Sequence, residues 1–259
     1  MAYEIEYRCV SHIGKIRRQN QDNFVCLNAM QHYTAKGTEQ EIRGLAHTEK
    51  GATFAVFDGM GGEECGEMAA YIAAETLANG HLGLGGTQNM TDYCSLANRK
   101  ICGYADTHKI SSMGTTAAIL HFVEDTIWLC NIGDSKVFVL SPHQFRQISQ
   151  DHVSTPIYGR KPPLSQNLGI PESELLLEPY IACGECSDSI RYLICSDGLT
   201  DMVSNERIEE ILRNTADEAV GDALLREALN NGGRDNITFI LLRVRKRQRS
   251  VLDRILGRK

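Results

Sequence analysis

Apolar positions along the chain follow two periods. Residues 3–10 partly alternate apolar and polar, which predicts a half-buried strand, and residues 23–27 predict another. Residues 53–57 form an unbroken apolar run that stops at Asp58-Gly59, as a strand covered on both faces does. Residues 31–51 are polar and contain glycine, and the reading there is a surface loop. The period then lengthens. Residues 63–79 are rich in Ala, Glu and Met, with Met68, Ile72 and Leu77 at roughly helical spacing. Glu63 and Glu64 fall in the first turn, where the helix dipole favours acids, and Gly80 suits the exit. A second helix is expected over about 91–109.

Residues 115–149 predict an antiparallel meander, with strands over 116–123, 126–132, 136–140 and 145–148 separated by polar turns. Residues 150–188 hold five of the six prolines and little periodicity, so an irregular loop is expected. Long ordered loops are often functional. A strand over 191–195 runs into Ser196-Asp197-Gly198. Helices are expected over about 199–213 and 217–230, the second with an apolar stripe of Ala219, Val220, Ala223, Leu224 and Ala228. A final strand is expected over 236–244. No internal repeat is visible.

Length and composition narrow the classes. The chain has 259 residues, 42% of them apolar, enough for one large domain or two small ones with a sizeable core. Its net charge of −6 argues against a general nucleic-acid binder. Charge is uneven: the tail 243–259 carries eight Lys or Arg against Asp253, a surplus of seven, so the rest stands at −13. No apolar run approaches the ~18 residues of a membrane helix. The first residues lack a basic stretch followed by an apolar one, so no secretory signal is expected. The nine cysteines are odd in number and many sit in apolar runs. They are expected to be buried thiols in a reducing cytoplasm.

One chemical pattern recurs. Apolar strands run into aspartate at Phe57-Asp58, Gly133-Asp134 and Ser196-Asp197, while Asp22 and Asp235 stand just before strands. Carboxylates gathered at strand ends repel one another, and uncompensated proximity raises their pKa values. A bound cation relieves this, and oxygen-only ligation selects hard ions such as Mg²⁺ or Mn²⁺. Two such ions clamp an in-line displacement at phosphorus. Each Asp-Gly taken singly is more often a turn. On spacing alone a metal site and a set of turns are equally well supported.

The order of motifs is more specific. Residues 17–23 (RRQNQDN), 56–62 (VFDGMGG), 113–116 (MGTT), 131–135 (NIGDS), 195–199 (CSDGL) and 233–238 (GRDNIT) occur in this sequence. The series resembles the metal-dependent protein phosphatases, the type 2C Ser/Thr phosphatases, in the form of a bacterial stand-alone catalytic domain, over roughly 5–244. The resemblance implies an α+β fold: a four-layer αββα sandwich of two antiparallel sheets flanked by helices. That agrees with the strand and helix order.

It also implies roles. Asp58 would bridge two ions, Mn²⁺ or Mg²⁺, and the Gly59 carbonyl would ligate one. Asp197 and Asp235 would hold the other, Asp22 would support the site directly or through water, and Asp134 with Asp197 could hold a third, weaker ion. Arg17 would grip the substrate phosphate, its fork matching two phosphate oxygens. It stands five before Asp22, which selects it over Arg18. Asn236 could orient a ligand or a metal water, or serve the strand edge. The implied reaction is hydrolysis of phosphoserine and phosphothreonine in proteins by a metal-activated water, reversing a bacterial Ser/Thr kinase. The alternative is a catalytically inactive phosphoprotein-binding regulator of the same fold. Such regulators typically lose metal carboxylates, and this chain keeps them.

Some features depart from that pattern or fall outside it. Where some family members carry a histidine general acid after Asp-Gly, this chain has Met60, which holds no proton. His152 is expected to play a structural or flap-positioning part. Residues 151–188 take the place of the family's flap. Cys183 and Cys186 have CxxC spacing without a second pair, so two free thiols on a hairpin turn are expected rather than a zinc site. No P-loop or GxSxG motif occurs. The expected organisation is a catalytic domain over 1–244 and a basic tail over 245–259. In that tail Val251, Leu252, Ile255 and Leu256 share a possible helical face that permits contact with anionic lipid or protein, although a solvated or packed terminus is favoured. A monomer is expected.

Overall fold

The computed structural model describes residues 3–27, 29–31, 40–60, 65–80, 82–83, 85–155 and 162–247. In chain order the elements begin with β1 (Tyr3–His12), β2 (Asn23–Cys26), β3 (Ala29–Met30), β4 (Gln40–His47), β5 (Ala52–Phe57) and β6 (Gly59–Met60). Helices α1 (Gly66–Asn79) and α2 (Thr87–His108) follow, then β7 (Gly114–Thr115), β8 (Ala117–Val123), β9 (Thr126–Ile132), β10 (Lys136–Leu140) and β11 (Phe145–Gln147). The chain continues through β12 (Tyr180–Glu185), β13 (Ile190–Cys195), α3 (Asp197–Thr200), α4 (Asn205–Asn214), α5 (Asp217–Asn230) and β14 (Ile237–Lys246).

Two six-stranded antiparallel sheets form the centre, ordered β11-β10-β13-β14-β1-β4 and β12-β9-β8-β5-β2-β3. Strand period decides what each face covers. In β5, Phe54 and Val56 enter the core between the sheets, while Ala55 and Phe57 face α1 and α2. In β14, Ile240, Leu242 and Val244 enter the same central core, while Ile237 and Phe239 face α4 and α5. The three apolar clusters are therefore three interfaces, and the layers run helix, sheet, sheet, helix. Fully burying one such Phe contributes about 1.5–3 kcal/mol, and Phe54, Phe122 and Phe239 are all completely buried.

The central strands match the expected order. The helix expected over about 199–213 is instead two, α3 and α4, the second started by the Ser204 side chain accepting from Arg207 N–H. The margins depart further. Residues 40–47, expected as loop, form the edge strand β4 against β1, and residues 32–39 lie outside the described residues. An edge strand buries little of itself, so β4 lacks the apolar run that marks β5. Within the expected irregular segment, residues 180–185 form the edge strand β12 on β9. Strands β12 and β13 belong to different sheets, so Cys183 and Cys186 do not share a hairpin turn. Cys183 is exposed on β12 and Cys186 is buried just beyond it. Helix α1 starts at Gly66 with Glu67 in its first turn. Glu63 and Glu64 lie outside the described residues, as does the tail segment carrying Val251, Leu252, Ile255 and Leu256. Strand β14 runs on to Lys246, two residues into the expected tail.

Pairing registers place the aspartates. Asn23 pairs with Phe57, which sets Asp22 beside Asp58. Lys136 pairs with Cys195, which sets the turn 133–135 beside Ser196-Asp197. His12 pairs with Ile237, which sets residues 13–21 beside Asp235-Asn236.

Candidate active site

Asp58 follows the last residue of β5, and two motifs hold its backbone. Its N–H donates to Thr116 Oγ1 (3.0 Å), and its carbonyl accepts from Thr116 N–H (2.9 Å) and Thr115 Oγ1 (3.0 Å). Thr116 Oγ1 also meets Ser135 Oγ at 2.6 Å, tying in the turn that carries Asp134. Gly59, in β6, pairs with Thr115. Asp197 opens α3 after Ser196, and Gly198 lets that turn press on the strand beside it. A Cβ at Gly198 would lie 1.8 Å from the Asn236 carbonyl oxygen.

A buried ring of polar groups joins the motifs from beneath. Ser196 Oγ donates to Asp22 Oδ2 at 2.8 Å. Thr238 N–H donates to Ser196 Oγ at 3.0 Å, and the Thr238 hydroxyl meets Ser11 Oγ at 2.8 Å. Asn20 Nδ2 donates to Ser11 Oγ at 2.9 Å, and Asp22 N–H donates to Asn20 Oδ1 at 3.2 Å. Apart from Asp22, these groups have no role in the sequence reading. Ser135, Ser196 and Thr238 each stand within three residues of an aspartate, and that adjacency is the signal that marks them; Thr115 and Thr116 lie far from any aspartate in sequence and are marked only by the MGTT motif.

Electrostatics confirm the crowding. Asp58 is half-buried, and its pKa is pushed well up by burial and then by the charges of Asp197, Asp22, Asp235 and Asp134. Burial pushes Asp22 up to about 7 against the pull of its bonds to Thr238 and Ser196, with Asp235 and Asp197 adding to the rise. Arg17 is exposed and donates to Asp235 Oδ2 at 2.7 Å. Partial burial lowers its pKa, but the bond to Asp235 and the charges of Asp235, Asp58 and Asp197 outweigh this and hold it raised. Five carboxylates thus share one end of the sandwich with the Arg17 guanidinium reaching into them.

Among the described residues no trio of His, Cys, Asp or Glu side chains is set to grip one ion. Asp58, Asp197 and Asp235 act on one another through their charges without converging on a single point. Hard ions that keep several waters need only a few protein oxygens, and the Gly59 carbonyl is a further oxygen of the same type as the carboxylates. The donor set is all oxygen and carries a large negative surplus, so it fits Mg²⁺ or Mn²⁺.

Other expected residues divide. The Asn236 side chain is spent on backbone groups of residues 13–21. His152 accepts at Nδ1 from Gly133 N–H (3.2 Å) and bonds back to the Gly133 carbonyl through its own N–H (2.9 Å), bracing the Asp134 turn. Of the flap-like segment, residues 156–161 lie outside the described residues. Farther on, Leu168 is fully buried and bridges to Thr115, and Asn98 of α2 bonds to both Gly169 and Ile170. The segment is therefore pinned close to β7.

Known proteins resemble this chain in sequence and fold. The family model described as Protein phosphatase 2C matches residues 9–156. The serine/threonine phosphatase stp of Listeria monocytogenes is 29% identical over 211 residues, covering 72% of this chain and 82% of its own length. The serine/threonine protein phosphatase PstP of Mycobacterium tuberculosis is 31% identical over 204 residues, covering 72% of this chain and 39% of its own. The crystal structure of the PstP catalytic domain in complex with two manganese ions superposes with a TM-score of 0.73 at 26% identity, covering 94% of this chain and all of that one.

Proposed function

Because the chain belongs to the protein phosphatase 2C family, we propose that the carboxylate end of its sandwich hydrolyses phosphoserine and phosphothreonine in proteins. The observation that carries this reading is the convergence of Asp58 with Asp22, Asp134, Asp197 and Asp235 on one end of the fold. So many carboxylates in one place destabilise the fold unless cations join them. The residues that would hold two Mn²⁺ or Mg²⁺ ions are Asp58, the Gly59 carbonyl, Asp197 and Asp235, with Asp22 in support. Asp134 with Asp197 offers a weaker third place. When bound, such ions supply the positive charge that makes water a nucleophile near neutral pH and that neutralises the phosphoryl oxygens.

The chain's own residues do the rest. Arg17 binds two phosphate oxygens through its planar fork and orients the phosphoryl group for in-line attack. Thr115 and Thr116 fix the Asp58 backbone, and Ser196 fixes the Asp22 carboxylate, so both acids are preorganised. Met60 beside Gly59 donates no proton, so the departing seryl or threonyl oxygen takes its proton from water. The binding-only alternative loses ground because every expected carboxylate is present and gathered.

A serine/threonine kinase is the class of enzyme that makes such substrates. All nine cysteines are free, which supports a reducing compartment, and among the described residues no helix is long and apolar enough to cross a membrane. The catalytic unit is proposed to end with β14 and to act as a monomer. The test is turnover of a phosphothreonine peptide with Mn²⁺ and with EDTA. Release of phosphate that needs the metal supports the reading, and retained peptide binding without release points to the binding module.

A further inference from the structure

Arg17 stands on a polar turn, residues 13–21, that belongs to no helix or strand and exposes its middle residues to solvent. A group that must meet a phosphate within a fraction of an ångström needs firmer support, because misplacement by about 1 Å can cost ~10²-fold in rate. One side chain supplies it. Asn236 is only 3% exposed. Its Nδ2 donates to the Ile13 carbonyl and to the Gln19 carbonyl, both at 2.9 Å. Its Oδ1 accepts from Gln21 N–H at 2.8 Å. Both donors and the acceptor are thus committed to backbone groups at the start and the end of one turn, with Arg17 between them. The amide is the group that can do this, since it offers two donors and an acceptor in one plane.

A second, independent weld holds the same turn. Lys15 N–H donates to the Gly233 carbonyl at 2.7 Å. Gly14 has φ +82°, and a Cβ there would lie 2.2 Å from the Asp235 carbonyl oxygen and 2.8 Å from that of Gly233. The turn and residues 233–236 therefore touch backbone to backbone, as only glycine permits. Asp235 then receives Arg17 at one carboxylate oxygen and the Asn236 N–H at the other (2.8 Å).

We propose that Asn236 is a positioning residue that acts through Arg17. It clamps the turn so that the guanidinium is kept at the carboxylate end, beside Asp235 and ready for a phosphate. The proposal rests on the reading of Arg17 as the phosphate-holding group.

The test is a double-mutant cycle on kcat and KM for a phosphothreonine peptide at saturating Mn²⁺, using Arg17→Ala, Asn236→Ala and the pair. The expected result is that Asn236→Ala lowers kcat/KM by ~10–10²-fold with the same division between kcat and KM as Arg17→Ala. The pair should then be no worse than Arg17→Ala alone within about twofold. Losses that multiply in the pair overturn the proposal, because Asn236 then acts through something other than Arg17.

Should Asn236→Ala fail to fold, Gly14→Ala disturbs the turn from its other side and must show the same non-additivity with Arg17→Ala. Trypsin cleavage after Arg17 or Arg18, measured on the chelated protein, reads the clamp without catalysis. Faster cleavage in Asn236→Ala supports the clamp, and an unchanged rate overturns it. A wild-type protein with no metal-dependent turnover would refute the phosphatase reading, and the trypsin comparison would still decide the clamp.

Discussion

The middle of the sandwich and its carboxylate end are built from the same strands and obey burial in opposite ways. Along β5, Phe54 and Val56 are stabilised by leaving water, and one residue past the strand's end Asp58 is driven toward protonation by it. Along β13, Ile194 packs between the sheets, and two residues past the strand Asp197 adds its charge to those pressing on Asp58 and Asp22. The middle satisfies itself, whereas the end is arranged at a cost in stability. Regions that conflict with their own fold in this way are where function is expected.

Substitutions at the two regions should separate activity from stability. Asp58→Asn should lower phosphopeptide turnover on the order of 10³-fold. In the chelated protein it should leave stability unchanged or raise it, because it removes a crowded charge. Loss of folding in the chelated Asp58→Asn protein, followed by urea unfolding, would break the contrast. Phe54→Ala should do the reverse, costing about 3–5 kcal/mol of unfolding free energy while folded molecules keep their kcat. Arg17→Ala should lower kcat/KM about 10²-fold. It should also tighten Mn²⁺ binding in calorimetry, since it removes the cation now paired with Asp235.

The smallest effects are in pH, where the regions should slope in opposite directions. Asp22, raised to about 7, and Asp58, also raised, bind more protons folded than unfolded. The Asp22 contribution to the chelated protein is full below about pH 4 and is lost as pH rises through about 7, and Asp58 acts in the same direction. His121 lies under the helices on β8, 4% exposed, bonded to Thr53 Oγ1 at 2.9 Å. Burial lowers its pKa even though the Gly83 carbonyl opposes this. Its contribution is full above the ordinary value near 6.5 and is lost as pH falls below it. His121→Gln should flatten the acid side of a stability-against-pH curve, and Asp22→Asn the side near 7.

Much of this contrast is legible in the sequence, and the missing parts have physical reasons. Two-sided burial writes β5, β8 and β14 as apolar runs, and the strands β5, β9 and β13 lead into Asp58, Asp134 and Asp197. The edge strands β4 and β12 pair on one side only, so their residues need not be apolar, and the sequence around them looks like loop. The part played by Asn236 is hidden differently. Its partners lie 215 to 223 residues away along the chain, so no local pattern joins them. The same holds for Ser196, whose carboxylate partner Asp22 lies 174 residues away. Aspartates announce themselves by their charge; the neutral groups that aim them become visible only once the strands are paired.

The central claim is that the gathered aspartates hold a pair of divalent ions. Crystals grown with Mn²⁺ and measured at the manganese absorption edge test it directly. The account predicts two anomalous peaks about 3.5–4 Å apart, both within bonding reach of Asp58, one also near the Gly59 carbonyl and the other near Asp197 and Asp235. Saturating Mn²⁺ with no peak at Asp58, or with Arg17 still seated on Asp235 and the ions elsewhere, would contradict it.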